Sequence, residues 1–320
     1  MPDSPADFSV KYPGKPPPNR RCGRPADCSY SRVSGRAQPE GFDCDPRHCQ
    51  GIVRMSSLSR YRRWLGHRTP PALPSGFVPM GTFVDRDVFI AGYPKSGNTW
   101  LQLMMASLLY GLDPRNAPDT LVQELVPDVH YKNCFKRFLQ AMCFKTHSLP
   151  QPEYRRVIRL VRDGRDVICS YHHFNESSQV GGPLDSLVDG ATPLPFGEWQ
   201  DHVLAWERNP FRADTILVRY EDLLDDCVGE LGRISDFLGV HRSPAELAAI
   251  AKGSRFDCMK TREAAQGWDN KAWPKDKPFV RQGRSGAYTA ELSPAQIARF
   301  TCRSAAALRL LGYELCAGAA

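Results

Sequence analysis

The run Gly92-Tyr-Pro-Lys-Ser-Gly-Asn-Thr-Trp100 lies between two apolar stretches, Val88 to Ala91 and Leu101 to Leu109. The first has the length of a buried strand and the second that of a buried helix. A strand, a glycine-bearing turn and a helix start aim successive backbone N–H groups at one anion. Gly92, Gly97 and Thr99 fit the spacing G-x-x-x-x-G-K-[ST] of a nucleotide phosphate loop, but Asn98 stands at the lysine position and Lys95 lies inside the loop. This chain is therefore expected to bind an anion there while departing from an ordinary nucleoside triphosphatase.

The strand-like runs Val88–Ala91, 142–145, 157–161 and 216–218 alternate with helix-like stretches. That order predicts one α/β domain with a mostly parallel central sheet flanked by helices, as in P-loop kinases. The helices are expected at 101–109, 131–141, 196–207 and 221–238, with a last one starting at Ser293-Pro294 and carrying its apolar stripe through Leu308, Leu311 and Leu315. Residues 181–195, with their glycines and prolines, read as a mobile loop.

Net charge is +7, a value that prompts a nucleic-acid or membrane-surface reading. Its distribution argues otherwise. Residues 1–68 hold 13 Lys/Arg against 6 Asp/Glu, whereas residues 69–320 hold 29 of each sign. The excess belongs to a Pro- and Gly-rich tail, and any anion site in the remainder is a local arrangement of charges. Residues 1–76 read as a disordered basic tail and linker and residues 77–320 as the folded domain, with Met55 a possible working start. No stretch is apolar enough to span a membrane, and the N-terminus lacks a secretory pattern, so a cytoplasmic protein is expected. Four of the 11 cysteines, Cys22, Cys28, Cys44 and Cys49, fall in the tail with spacing that matches no common zinc module. The other seven sit among apolar neighbours and read as buried thiols in a reducing compartment.

Three motifs occur in a fixed order. The phosphate-loop run is followed by Arg162-Asp-Gly-Arg-Asp-Val-Ile-Cys-Ser-Tyr-His-His-Phe174 and by Phe279-Val-Arg-Gln-Gly-Arg-Ser-Gly286. Together they resemble the cytosolic-type sulfotransferases, which transfer a sulfuryl group from 3′-phosphoadenosine 5′-phosphosulfate (PAPS). The resemblance implies that Lys95, Ser96, Gly97, Asn98 and Thr99 bind the 5′-phosphosulfate, with Lys95 at the bond that breaks. It implies a 3′-phosphate site made by Arg162, Ser170, Arg281, Gln282 and Gly283, and an adenine site at Trp100, Tyr220, Ser254 and Phe256. Lys145-Thr-His-Ser-Leu-Pro150 matches the family's catalytic-histidine segment, which makes His147 the general base and Lys145 its assistant at the transferred group. His172 and His173, on the helix after Arg162, read as structural, and Arg165 and Asp166 as a pair at the helix start.

The chain departs from the pattern at Ser148, where an apolar residue is expected, and at Gln282, where the family often has lysine. Tyr288 replaces a tryptophan, and the family's C-terminal dimer motif has no clear match, which leaves oligomeric state open. The acceptor is a hydroxyl or amine on a small molecule, glycan or lipid. Residues 77–82, 128–138, 171–175 and 181–195 are expected to shape its pocket. No metal is required. A P-loop kinase, which would need magnesium ligands, and a binding protein acting through the basic tail are the competing readings.

Overall fold

The computed structural model describes residues 73–178, 182–267, 274 and 277–315. The expectations placed on the tail, on its cysteines, on the linker before Leu73 and on Gly181 and Cys316 lie outside these residues.

The strand of the opening motif is β2 (Val88–Gly92), buried along its whole length. It pairs in parallel with β4 (Cys143–Thr146) on one side and β5 (Arg156–Val161) on the other, and β5 pairs with β6 (Asp214–Arg219), giving the order β4-β2-β5-β6. Strands covered on both faces read as near-continuous apolar runs, which is why these segments stood out in the sequence. A separate antiparallel pair joins β1 (Phe77–Pro79) to β3 (Cys134–Lys136).

The helices in chain order are α1 (Asn98–Tyr110), α2 (Asp119–Leu125), α3 (Gly164–Ser178), α4 (Leu184–Val188), α5 (Trp199–Arg208), α6 (Tyr220–Asp225), α7 (Cys227–Leu238), α8 (Pro244–Gly253), α9 (Phe256–Gln266), α10 (Tyr288–Glu291), α11 (Pro294–Arg303) and α12 (Ala305–Leu310). One core cluster joins Leu101, Met104, Met105 and Leu108 of α1 to Leu231 and Ile234 of α7 and to Ile90 and Ile158 of the sheet. A second joins Val167 and Ile168 of α3 to Trp199, Val203, Phe300 and Leu308. A third is mostly aromatic: Phe89, Phe135, Phe144, Tyr154 and Trp206. The result is one α/β domain with a parallel sheet between helical layers. Among the described residues no helix is long and apolar enough to cross a membrane.

Several local expectations are corrected. The segment 131–141 is not a helix: β3 runs through it, because buried Phe135 joins the aromatic cluster while the residue on each side of it is more exposed, the alternation of an edge strand. Residues 221–238 form two helices, since the Asp226 side chain accepts the Gly229 N–H and starts α7 anew. The last helix begins as expected, with a Ser293–Gln296 capping box, but breaks at Ser304, so Leu308 lies on α12. The loop 181–195 contains α4, which buries Leu187 and Val188. Arg165 pairs with Asp163 at 2.6 Å and not with Asp166. Cys143 and Cys169 are buried, Cys134, Cys227 and Cys258 are half-buried, and Cys302 is exposed.

Candidate active site

All four parallel strands deliver site residues at their carboxyl ends, the edge where open α/β sheets gather ligands. The phosphate loop follows Gly92 on β2, His147 follows Thr146 on β4, Arg162 follows Val161 on β5, and Tyr220 follows Arg219 on β6. Register fixes their neighbours. Ala91 lies opposite Thr146, Gly92 opposite Leu160, and Val161 opposite Arg219.

The loop itself is built on two left-handed residues, Lys95 at φ 71° and Gly97 at φ 98°. A Cβ on Gly97 would sit 2.7 Å from the Tyr220 ring, so glycine is needed for space as well as conformation. Asn98, at the position of the missing lysine, donates its side-chain amide back to the Tyr93 carbonyl at 2.8 Å and braces the loop. The helix α1 then starts with its first-turn N–H groups directed at the loop. Ser96 is fully buried, with its hydroxyl lacking a protein partner, and Thr99 is half-buried.

The Lys95 ammonium lies 4.5 Å from the centre of the Phe174 ring and 4.8 Å from that of Phe279. Burial, and then the neighbouring charges of Arg162, Arg281 and Lys145, pull its pKa down to about 7. Four cations thus converge around one loop. Arg162 donates to the Arg284 carbonyl at 3.0 Å and stacks 4.3 Å over Tyr220, joining β5, β6 and the third motif. Asp166 secures that motif to α3 by accepting the N–H groups of Gly286 and Tyr288 at 2.8 and 2.9 Å. Arg281 and Gln282 both donate to Glu291, at 2.8 and 3.2 Å, and His173 meets the same carboxylate at 3.0 Å. Ser170 is half-buried on α3, two turns after Arg162.

The aromatic residues gather beside the loop. Trp100 donates its indole N–H to the carbonyl of buried Ser254 at 2.6 Å and meets Tyr220 edge-on at 5.5 Å. Phe256 packs under Gly283, where an added Cβ would come within 2.3 Å of the ring.

His147 sits one residue beyond β4. Its Nδ1–H donates to the Gly92 carbonyl at 2.7 Å, which leaves Nε2 as the ring's lone-pair nitrogen. Its backbone N–H donates to His130 Nε2 at 2.9 Å, and the two imidazoles stack at 5.7 Å. Burial and the nearby Lys145 ammonium lower the His147 pKa to about 3, so the ring is neutral at physiological pH. Lys145 is itself paired with fully buried Asp128 at 2.8 Å. Burial alone would raise the Asp128 pKa; the Lys145 charge, His147 and the hydrogen bonds from Lys145 and the His130 N–H together outweigh it and hold the carboxyl below its ordinary value.

This arrangement offers an anion cradle, a cluster of cations, a slot with flat apolar walls and a neutral imidazole beside the cradle. A family model for the sulfotransferase domain matches residues 85–312, which span every one of these groups. The chain belongs to the sulfotransferase family.

Among its relatives, cytosolic sulfotransferase 1 of Danio rerio is 28% identical over 67% of this chain and 80% of its own length. Sulfotransferase 2A6 of Rattus norvegicus is 26% identical over 68% and 82%. The fold is shared with a mouse sulfotransferase, SULT7A1, solved with PAP (TM-score 0.53, 22% identity, covering 73% of this chain and 90% of that one). It is shared too with a retinol dehydratase solved with androsterone and PAP (TM-score 0.56, 18% identity, covering 70% and 81%).

In this sulfotransferase the structure brings the expected residues from all three motifs to one sheet edge. Sequence reasoning misses the part played by Asp128, His130, Asp166 and Glu291, which hold the expected residues in place: it puts 128–138 in the acceptor pocket, pairs Asp166 with Arg165 and passes over Glu291. Each is a side chain paired across the fold, invisible to spacing along the chain. Phe174 and Phe279 lie inside quoted motifs, but their place around Lys95 is not read from them.

Proposed function

We propose that this sulfotransferase moves a sulfuryl group from PAPS to a hydroxyl or amine acceptor, with His147 as general base. The observation that carries the reading is the convergence of Lys95, Arg162, Arg281 and Lys145 on the phosphate loop, where burial first and then the neighbouring charges lower the Lys95 pKa to about 7. Such mutual repulsion is costly in the protein alone and becomes favourable around a polyanion. The site fits the donor in kind as well as charge: a left-handed cradle for a phosphate and a Trp100–Tyr220–Phe256 slot for a base.

When bound, PAPS supplies an activated sulfuryl group whose departing partner is the phosphate of PAP. Lys95 and the α1 N-terminus stabilise the charge that grows on that phosphate. His147 Nε2 takes the proton of the attacking hydroxyl, while the bond from Nδ1 to Gly92 fixes ring orientation and tautomer. Lys145, ion-paired with Asp128, faces the transferred group from β4. Arg162, Ser170, Arg281, Gln282 and Gly283 hold the 3′-phosphate, and Ser254 supports the adenine wall through Trp100. None of these steps calls for a metal ion.

The acceptor enters beside His147, where half-buried Phe196 packs edge-on at 5.2 Å and His130 stacks. Those flat groups suit a phenol, steroid or lipid alcohol, and the relatives support a small-molecule acceptor in the cytoplasm. Labelled-sulfuryl transfer from PAPS across a panel of phenols, steroid alcohols, fatty alcohols, sugars and amines tests the reading. Transfer to one class supports it. PAP binding with no transfer to any of them refutes the catalytic assignment.

A further inference from the structure

Helix α5 carries Trp199, His202, Val203 and Trp206 on its buried face. The spacing is that of an apolar stripe, and His202 is the polar residue within it. A histidine only 3% exposed is expected to have both ring nitrogens satisfied. The His202 Nε2 has no protein partner, and neither do Ser96 Oγ and Arg159 Nε. All three residues line one cavity, closed by Tyr93, Trp199, Val203 and Trp206, with room for a single water-sized molecule. A water there would find donors and acceptors from all three.

The other side of the same ring faces the active site from behind. Burial lowers the pKa of that ring to about 4, and the pull of the backbone at His147 and Ser148 partly offsets it. One turn later on α5, Trp206 donates its indole N–H to the Ser148 carbonyl at 3.1 Å. Tyr93, within the opening motif, meets the His202 ring edge-on at 5.6 Å and donates its hydroxyl to the Gly197 carbonyl at 2.7 Å. One helix therefore grips the segment that carries His147 and touches the phosphate loop through Tyr93 and the cavity.

We propose that His202 is a positioning residue, which fixes the backbone of His147 and Ser148 and, through the polar cavity shared with Ser96 and Arg159, ties that segment to the phosphate loop. The inference rests on the reading of His147 as base. It goes beyond that reading by giving α5, which has no residue at the reacting atoms, a part in setting the base's orientation. The physical demand is clear. A base that must meet its proton within hydrogen-bond distance tolerates little displacement, and His147 is held by one side-chain bond on a segment that has already left its strand.

The test uses the full chain with His202→Phe, His202→Gln and Trp206→Phe. His202→Phe should lower kcat about 10- to 100-fold, with PAP affinity by calorimetry changed less than about 2-fold. His202→Gln, which keeps a donor, should recover most of that loss. Hydrogen exchange at the amides of residues 147–149 should speed up in His202→Phe by at least about 5-fold, and less at residues 95–99. This last readout needs no acceptor, so it separates the proposal from the assignment of His147: a fully active His147→Ala refutes the base, whereas unchanged exchange at 147–149 refutes the positioning role. Should His202→Phe fail to fold, Trp206→Phe decides: a selective kcat loss with intact PAP binding supports the proposal. Unaltered kcat in the folded variants, or kcat and PAP affinity falling by one common factor, overturns it.

Discussion

His147 Nδ1 and the Gly92 carbonyl are 2.7 Å apart, and that hydrogen bond joins the end of β4 to the first residue of the phosphate loop on β2. The bond sets the tautomer: with Nδ1 donating, Nε2 is left to accept a proton. His147→Ala should lower kcat by about 10²- to 10⁴-fold while PAP binds with nearly its original affinity. Near-normal turnover in that variant would remove His147 from the mechanism.

Lys95 gives a second prediction, in which stability and activity move in opposite directions. Its lowered pKa means that the folded state holds the charge at a cost. That cost is full below pH 7, where both folded and unfolded chains are protonated, and it fades as pH rises from 7 toward the unfolded value near 10.5. Lys95→Met should therefore raise stability by about 1–2 kcal/mol at pH 6, with a smaller gain at pH 9, and should lose nearly all turnover. Thermal melts at the two pH values would expose a mistaken sign.

The same residues shape the pH profile. With the His147 pKa near 3, no acid limb should appear at the ordinary histidine value, about 6.5. On the alkaline side, the free enzyme loses the Lys95 proton above about pH 7, so kcat/KM for the donor should fall there. PAP binding at pH 8 should take up close to one proton, and at pH 6 almost none. Calorimetry in buffers of different ionisation enthalpy measures this directly. An acid limb near pH 6.5 would mean that another environment governs the base.

Arg162 and Arg281 should prove unequal. Arg162 donates to a backbone carbonyl, stacks on Tyr220 and reaches the Asp166 carboxylate only at 3.5 Å, whereas Arg281 is bonded to the Glu291 carboxylate at 2.8 Å. Arg162→Ala should weaken PAP binding by about 1.5–3 kcal/mol, roughly 10- to 100-fold. Arg281→Ala should cost less, because part of its charge is spent on Glu291. Equal losses in equilibrium titrations would contradict this ranking.

The folded unit should begin close to β1. The family match starts at residue 85 and β1 at Phe77. A chain starting at Met55 is expected to fold cooperatively and to keep its kcat/KM. A broadened melt or lost activity would give the preceding residues a share in the structure.

What the sequence made legible follows from how its signals are written. The four parallel strands and α1 announce themselves as short apolar runs, and the loop between them is marked by Gly92, Lys95 and Gly97. Arg162 and His147 were placed by local motifs. The supporting pairs were not, because Asp128 with Lys145 and Glu291 with Arg281 are chosen by folding geometry, with no fixed spacing to reveal them. Residues 131–141 misled because Phe135 sits in a run of basic and apolar residues that fits a helix as well as an edge strand. Its aromatic contacts in the core decided the matter.

The strand order β4-β2-β5-β6 places the first parallel strand of the chain in the middle of its sheet. On a ribosome, β2 emerges with neither edge partner yet made, and it waits for Cys143 and then for Arg156 before its backbone N–H and C=O groups can pair. The anion cradle it carries cannot be assembled by a nascent chain, nor by a proteolytic fragment that ends before β5. Binding capacity in this protein should arrive late and all at once in its synthesis, with a stretch of apolar strand in need of shelter until then.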